Sequence, residues 1–324
     1  TEYGWRADEL AENIHQENPN LPGALYSIRA KLQRTHQKIV DKTNLVFSEL
    51  IDKQGLEKVN LEFSGMKTEQ YLVNSDRVAF VIVDALRFEL GKRISRNLNE
   101  GEPVERAQVI ASKSSIPTIT SLGMSYALPG VSRLETSVNK TNNGLSIKTP
   151  GSSIDLSTKT GRIKWLKKKF SLKDSSFINI EEILDYRETK TKRLGKNLFV
   201  FGKDFDDEGH QGKLQITGAA NLVDRYSNAV RKLRSLGYSK IIIVTDHGYF
   251  HWESDEGEIE EKPDGNIISS SRRYVIGHNL VHSQSLKLKV SGSQIECLTP
   301  RSINVYKTYG GMGFFHGGTT LQEY

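Results

Sequence analysis

Three short segments concentrate the residue types that do chemistry. Asp246-His247-Gly248 closes the apolar run Ile241–Val244 and Thr245. An acid and an imidazole at the tip of a buried strand sit where open α/β sheets bind ligands, and both bind divalent metal when deprotonated. Asp84 ends a second apolar run, Val78–Val83. Asp204, Asp206, Asp207, Glu208 and His210 crowd a third segment, just past the run Asn197–Phe201. Asp206 and His210 are four residues apart, close enough to chelate one ion from a loop or a single helical turn. Strand tips carrying such ligands point to metal-assisted phosphoryl transfer.

A hydroxyl cluster lies between these segments: Ser114, Ser115, Thr118, Thr120 and Ser121. At a helix start, free amides and the helix dipole favour an anion, and a neighbouring metal turns a hydroxyl into a nucleophile. The competing reading of both Asp84 and Thr120 is a helix N-cap. His316 sits among Gly313, Phe314, Phe315, Gly317 and Gly318, with Gly310 and Gly311 nearby, a composition that predicts close backbone approach. His15 and His36 read as surface residues of N-terminal helices. His251, His278 and His282 are weaker ligand candidates. Gly248 reads as the residue that lets the chain turn sharply.

The 324 residues carry a net charge of +6 and are 36% hydrophobic and 26% charged. That charge permits an anionic substrate without demonstrating a nucleic-acid partner. Two basic clusters, Arg162–Lys169 and Arg187–Lys196, read most simply as solvated helix faces. In the first, Trp165 offers a ring for a base or sugar. Cys297 is the sole cysteine, which excludes an intramolecular disulfide and a cysteine zinc cluster. The longest apolar runs are about half a membrane span, and no signal-peptide pattern is read, so a cytoplasmic location without a membrane partner is expected. A first residue Thr1 rather than Met suggests a piece of a longer protein.

These residues need a scaffold. Residues 1–75 read as a helical arm or linker, with Leu25, Ile28, Leu32, Ile39, Phe47 and Leu50 as one apolar stripe and Pro22-Gly23 between two helices. From 76 to 324 strands alternate with helices, which predicts an α/β fold: a mostly parallel sheet sandwiched by helices. The expected strands are Val78–Val83, Gln108–Ala111, Phe177–Ile180, Asn197–Phe201 and Ile241–Val244, closed by Arg273–Gly277 and Ile303–Tyr306. The expected helices cover 86–98, 120–128, 181–193 and 220–236. Around residues 131–165 the polar composition, the Asn142-Asn143-Gly144 turn and the alternating Leu145–Lys148 and Ile154–Ser157 segments predict a β-hairpin insertion.

The order of these features resembles the alkaline phosphatase superfamily: Asp84, the turn Pro117–Thr120, Asp206 with Gly209-His210, Asp246-His247-Gly248, then a late histidine. Ligand order is most similar to its nucleotide pyrophosphatase/phosphodiesterase branch. Within it, segments Val83–Glu89, Pro117–Met124, Thr245–Phe250 and Phe315–Glu323 resemble the PglZ domain. The resemblance implies two divalent metal ions, one held by Asp84, Thr120, Asp246 and His247, the other by Asp206, His210 and His316, with Asp207 as the fallback for Asp206. Zinc is the usual metal, and manganese or magnesium also suits the ligands. Thr120 rather than Thr118 matches the nucleophile. The implied activity is phosphoester hydrolysis, read here as phosphodiesterase or nuclease chemistry on a phosphoester such as nucleic acid or a nucleotide. A phosphomonoesterase and a catalytically idle scaffold are the alternatives. Arg87, Lys164 and Trp165 are the candidate substrate-phosphate contacts. PglZ proteins belong to BREX phage-defence systems or to response regulators. The helical N-terminal region lacks a receiver pattern, so the C-terminal part of a BREX-type protein, with other defence-system proteins as partners, is the expectation.

Overall fold

The computed structural model describes residues 4–15, 22–74, 77–139, 144–187, 189, 193–214, 218–251, 257–308 and 313–324. Outside them lie Asn142 and Asn143, Gly310 and Gly311, and part of the 187–196 basic run.

The centre is a four-stranded parallel sheet in the order Phe177–Asn179, Asn197–Gly202, Val78–Val83, Lys240–Thr245. Val78–Val83 is apolar throughout because both its faces are covered. Ala79, Val81 and Val83 enter one core with helices Phe88–Asn99 and Ala220–Ser235. Val78, Phe80 and Ile82 enter a second with helices Thr120–Tyr126 and Lys159–Phe170. The register matters most for function. Val83 pairs with both Gly202 and Thr245, so the three strands finish level and the next residues emerge together.

Several expected elements differ. Gln108–Ala111 forms no strand; Ile110 is exposed and, among the described residues, no neighbouring backbone pairs with the segment. The helix expected over 181–193 is only Ile180–Leu184, started by a capping box between Asn179 and Glu182. Arg273–Gly277 does not close the parallel sheet. Val275–Val281 instead joins Asp264–Ser270, Glu296–Thr299 and Leu286–Lys289 in a separate antiparallel sheet, and Val305–Tyr306 pairs with Ile259–Glu260. In the 131–165 region, Leu145–Lys148 pairs with Glu135–Val138. Ile154–Ser157 is not a strand, because the Asp155 carboxylate accepts from the Ile147 and Ser157 amides and pins it as a turn.

The N-terminal region folds as helices Gly4–His15 and Gly23–Gln54, followed by Ser64–Asn74. The 32-residue helix ends at Gly55, whose φ of 79° favours glycine. No helix among the described residues is long and apolar enough to cross a membrane.

Candidate metal centre

Level strand ends put Asp84 and Asp246 side by side. Between them, Ala85 takes a left-handed φ of 58°, a conformation costing about 1–2 kcal/mol for a residue with a Cβ. Its amide donates to Asp246 Oδ1 at 3.1 Å, and the His247 amide donates to the same oxygen at 2.9 Å. Asp246 Oδ2 is buried and makes no hydrogen bond among the described residues. It lies 3.2 Å from His247 Nε2. His247 Nδ1 faces the Gly248 carbonyl at 2.9 Å, so that nitrogen carries the proton and Nε2 presents a lone pair toward the carboxylates.

Thr120 completes this group. Its hydroxyl donates to Asp84 Oδ1 at 3.3 Å and lies 3.4 Å from His247 Nε2. It does not cap its helix: Ile119 holds the N-cap position and no side chain caps there. Thr118 is occupied elsewhere. Its hydroxyl donates to the Gly318 carbonyl and accepts from the Gly317 amide, anchoring the His316 loop.

A second group adjoins the first. Asp206 Oδ1 lies 3.4 Å from His210 Nε2 and 3.5 Å from His316 Nε2. The His316 ring stacks on His247 with centroids 4.3 Å apart. His316 Nδ1 meets the Thr118 carbonyl at 3.1 Å, which again turns Nε2 inward. Asp207 points to Lys203 at 2.6 Å, and Asp204 accepts from the Tyr226 hydroxyl. The three aspartates of the acidic run are thereby sorted into one inward carboxylate and two engaged elsewhere.

The electrostatics suit cations. Burial, reinforced by the charge of Asp246, pushes Asp84 up to about 8. Burial also pushes Asp246 up to about 7, against the backbone amides that favour its charge. Burial and neighbouring His247 push His316 down to about 4. Burial raises Asp206 too, but the His210 hydrogen bond and the His316 and His247 rings outweigh it, and its pKa falls below the ordinary value. Two clusters thus offer ligand atoms within 4.8 Å: Asp84, Asp246 and His247, and Asp206, His210 and His316. The orphaned Asp246 oxygen and the inward Nε2 lone pairs fit divalent metal.

Glycines allow the close packing. A Cβ on Gly209 would come within 2.1 Å of the Phe314 ring. Gly248 is required by space rather than by a turn: a Cβ would meet the Gln322 carbonyl at 2.0 Å, and its φ is not left-handed.

The expected phosphate contacts are rearranged. Trp165 packs in the core with its indole N–H on Thr149, which corrects the expectation of a ring open to a base. Arg87 is buried against Glu89, with Asp8 at 4.0 Å and the Tyr249 ring beneath it, turned to the N-terminal helices instead of the metal groups. Lys164 is exposed. The residue missed is Arg162. It is buried, its Nη1 donates to the Leu156 and Ser157 carbonyls, and its Nε has no hydrogen-bond partner among the described residues. Burial lowers its pKa while the charges of Asp246 and Asp84 act to raise it, which puts it in the field of the metal groups. The signal lay in helical phase: Arg162, Trp165 and Leu166 share the buried face at i, i+3, i+4. His36 bonds Asp8, and His282 bonds Ser285; His251 and His278 join neither ligand cluster.

Residues 65–324 match the family described as the BREX system PglZ alkaline phosphatase-like domain. The chain is 24% identical over 268 residues to the alkaline phosphatase-like protein BrxZ of Escherichia coli O9:H4 (strain HS), covering 76% of this chain and 29% of that protein. It is 25% identical over 286 residues to the alkaline phosphatase-like protein PglZ of Bacillus cereus (strain H3081.97), covering 78% and 30%. The chain therefore spans less than a third of the length of these relatives.

Proposed function

The chain belongs to the PglZ family of alkaline phosphatase-like domains, and we propose that it is a metal-dependent phosphoester hydrolase with Thr120 as nucleophile. The observation that carries this is the position of the Thr120 hydroxyl, 3.3 Å from Asp84 Oδ1 and 3.4 Å from His247 Nε2, beside a second carboxylate–histidine group. Asp84, Asp246 and His247 would hold one ion with Thr120, and Asp206, His210 and His316 the other. Divalent ions, zinc by family habit, supply Lewis acidity to phosphoryl oxygens and lower the pKa of hydroxyl or water.

The chain's own residues divide the remaining work. The Thr120 proton already has an acceptor in Asp84 Oδ1. As Thr120 Oγ1 bonds to phosphorus, the P–O bond to the leaving group breaks and the departing oxygen takes up the proton Thr120 gave; water then adds to phosphorus, the P–Oγ1 bond breaks, and the water's proton restores the Thr120 hydroxyl. Arg162 offers its unmet Nε–H to a phosphoryl oxygen. Lys164 and Lys168, exposed on the same helix, extend positive charge along a polyanion, which favours a phosphodiester over a monoester. The family description and the BrxZ and PglZ relatives support work in phage defence beside other defence-system proteins.

The test compares bis-p-nitrophenyl phosphate with p-nitrophenyl phosphate under added zinc or manganese. Thr120→Ala should lose turnover by on the order of a thousandfold or more while still binding metal. Equal hydrolysis by that variant ends the nucleophile assignment. A monoester preference replaces the diester reading, and no bound or stimulating metal leaves an idle scaffold.

A further inference from the structure

The helix Gly23–Gln54 leaves most of its apolar stripe in solvent. Against the domain it presents buried Gln37, Asn44, Ser48 and Ile51, with half-buried Val40 and Phe47 beside them. Two of these polar residues are engaged: Asn44 donates to Gln322 Oε1 and accepts from the Leu321 amide, and Ser48 Oγ accepts from the Ser302 amide. The apolar stripe is outside. Leu25, Ile28, Leu32, Ile39 and Val46 are 43%, 55%, 47%, 54% and 50% exposed. Apolar side chains gain by leaving water, so the stripe holds unspent driving force for association.

Its spacing states what kind. Leu25, Leu32, Ile39 and Val46 recur every seven residues, and Ile28 takes the intermediate position of the first heptad. That is the seam of a two-stranded coiled coil. Thr35 and Lys42 occupy the next intermediate positions, which weakens the seam and favours a specific partner over indiscriminate stickiness. The positions flanking the seam are Arg29, Lys31, His36, Lys38, Thr43 and Leu45, with no acid among them, and of these His36 already meets Asp8 of the helix Gly4–His15. Lys31, Lys38 and Lys42 are exposed. In a coiled coil those flanks meet the flanks of the other helix. A second copy of this chain would set basic residues against basic residues in either orientation.

We propose that the exposed face from Leu25 to Val46 docks an amphipathic helix of a separate protein, one carrying aliphatic residues at heptad spacing with glutamate or aspartate along both edges. The inference is independent of the hydrolase reading.

The experiment uses two labelled helical peptides about four heptads long, with leucine and isoleucine on the seam. One carries glutamate at every flanking position, the other lysine. The chain should bind the glutamate peptide at least about tenfold more tightly, with a difference that shrinks in high salt. Leu32→Asn with Ile39→Asn should weaken that binding by about tenfold or more, while circular dichroism and ester hydrolysis stay unchanged, since both side chains face solvent. Equal affinity for the two peptides, no binding, or indifference to the double substitution overturns the proposal. A concentration-dependent dimer in sedimentation velocity, abolished by the same substitutions, overturns it in favour of a second copy. If a longer polypeptide containing this chain refuses the peptide that the chain accepts, the face belongs to its own flanking sequence and the proposal is again overturned.

Discussion

Arg162 shows how one side chain can change a site's meaning. It is the buried member of a helix whose lysines reach outward. Two carbonyls hold its Nη1, and its Nε is left without a partner among the described residues. A buried charged donor left unpaired is costly, unless the missing acceptor arrives with the substrate. We therefore expect Arg162→Ala to lower kcat/KM for a phosphodiester by about a hundred- to a thousandfold, as losing one donor to a developing oxyanion does. Arg162→Lys should recover only part, because an ammonium cannot reproduce the planar fork. Metal content measured on both variants should match wild type. Unchanged kcat/KM in the alanine variant would reduce Arg162 to a brace for the turn at Leu156 and Ser157. The acids and histidines at 84, 206, 210, 246, 247 and 316, which the fold gathers into two groups, were legible as residue types because acid and imidazole stand out beside apolar runs. Arg162 was hidden because a basic run does not say which cation faces inward; only the phase shared with Trp165 and Leu166 does.

Elements act here by delivering residues in register. Three strands end level, so one carboxylate follows each of two of them and the acidic helix Asp204–His210 follows the third. That much follows from apolar runs ending in polar residues, and the parallel sheet was legible for the same reason. The antiparallel sheet of 264–299 was not, because short alternating segments do not reveal their partners. The fate of Gln108–Ala111 shows the same limit: four strand-like residues form no strand without a neighbour to pair with. The helix Asp204–His210 and the Phe314–Phe315 strand meet at Gly209, where the Phe314 ring lies too close for any Cβ. His210 packs 5.0 Å from that ring, and His316 is 6.3 Å from it. Gly209→Ala should force these elements apart at a cost of about 1–3 kcal/mol. Because two of the three residues of the second group lie against Phe314, the variant should bind close to one zinc per chain where the proposed two-metal site should bind two in wild type, as counted by elemental analysis after dialysis. Full occupancy in a variant with a lowered Tm would mean that the loop repacks without disturbing the ligands.

Across the whole molecule, the buried carboxylates tie stability to pH and metal. Asp84 and Asp246 lie above the ordinary 3.8, at about 8 and about 7, mainly through burial. Between about pH 4 and those values the folded chain holds protons that the unfolded chain has released. Stability from this source therefore falls as pH rises through that window. His316 acts in the other direction. It is held neutral down to about 4 against an ordinary 6.5, so its contribution rises with pH and is complete by about 6.5. His210 is raised by its hydrogen bond to Asp206, and the stability it adds is lost as pH climbs past 6.5. Above pH 6.5 only the falling contributions remain. Metal-stripped protein should thus melt at a lower temperature at pH 8 than at pH 6.5. A divalent ion favours the ionised carboxylates and must displace their protons. Zinc affinity should rise across the same interval, and zinc should raise Tm more at pH 8 than at pH 6.5. Calorimetric titration in buffers of different ionisation enthalpy should show net proton release near neutral pH. A metal-stripped Tm that rises from pH 6.5 to 8, or zinc binding that releases no protons, would mean that Asp84 and Asp246 are already ionised in the folded chain, and the cost of keeping two adjacent buried charges would need another source of compensation.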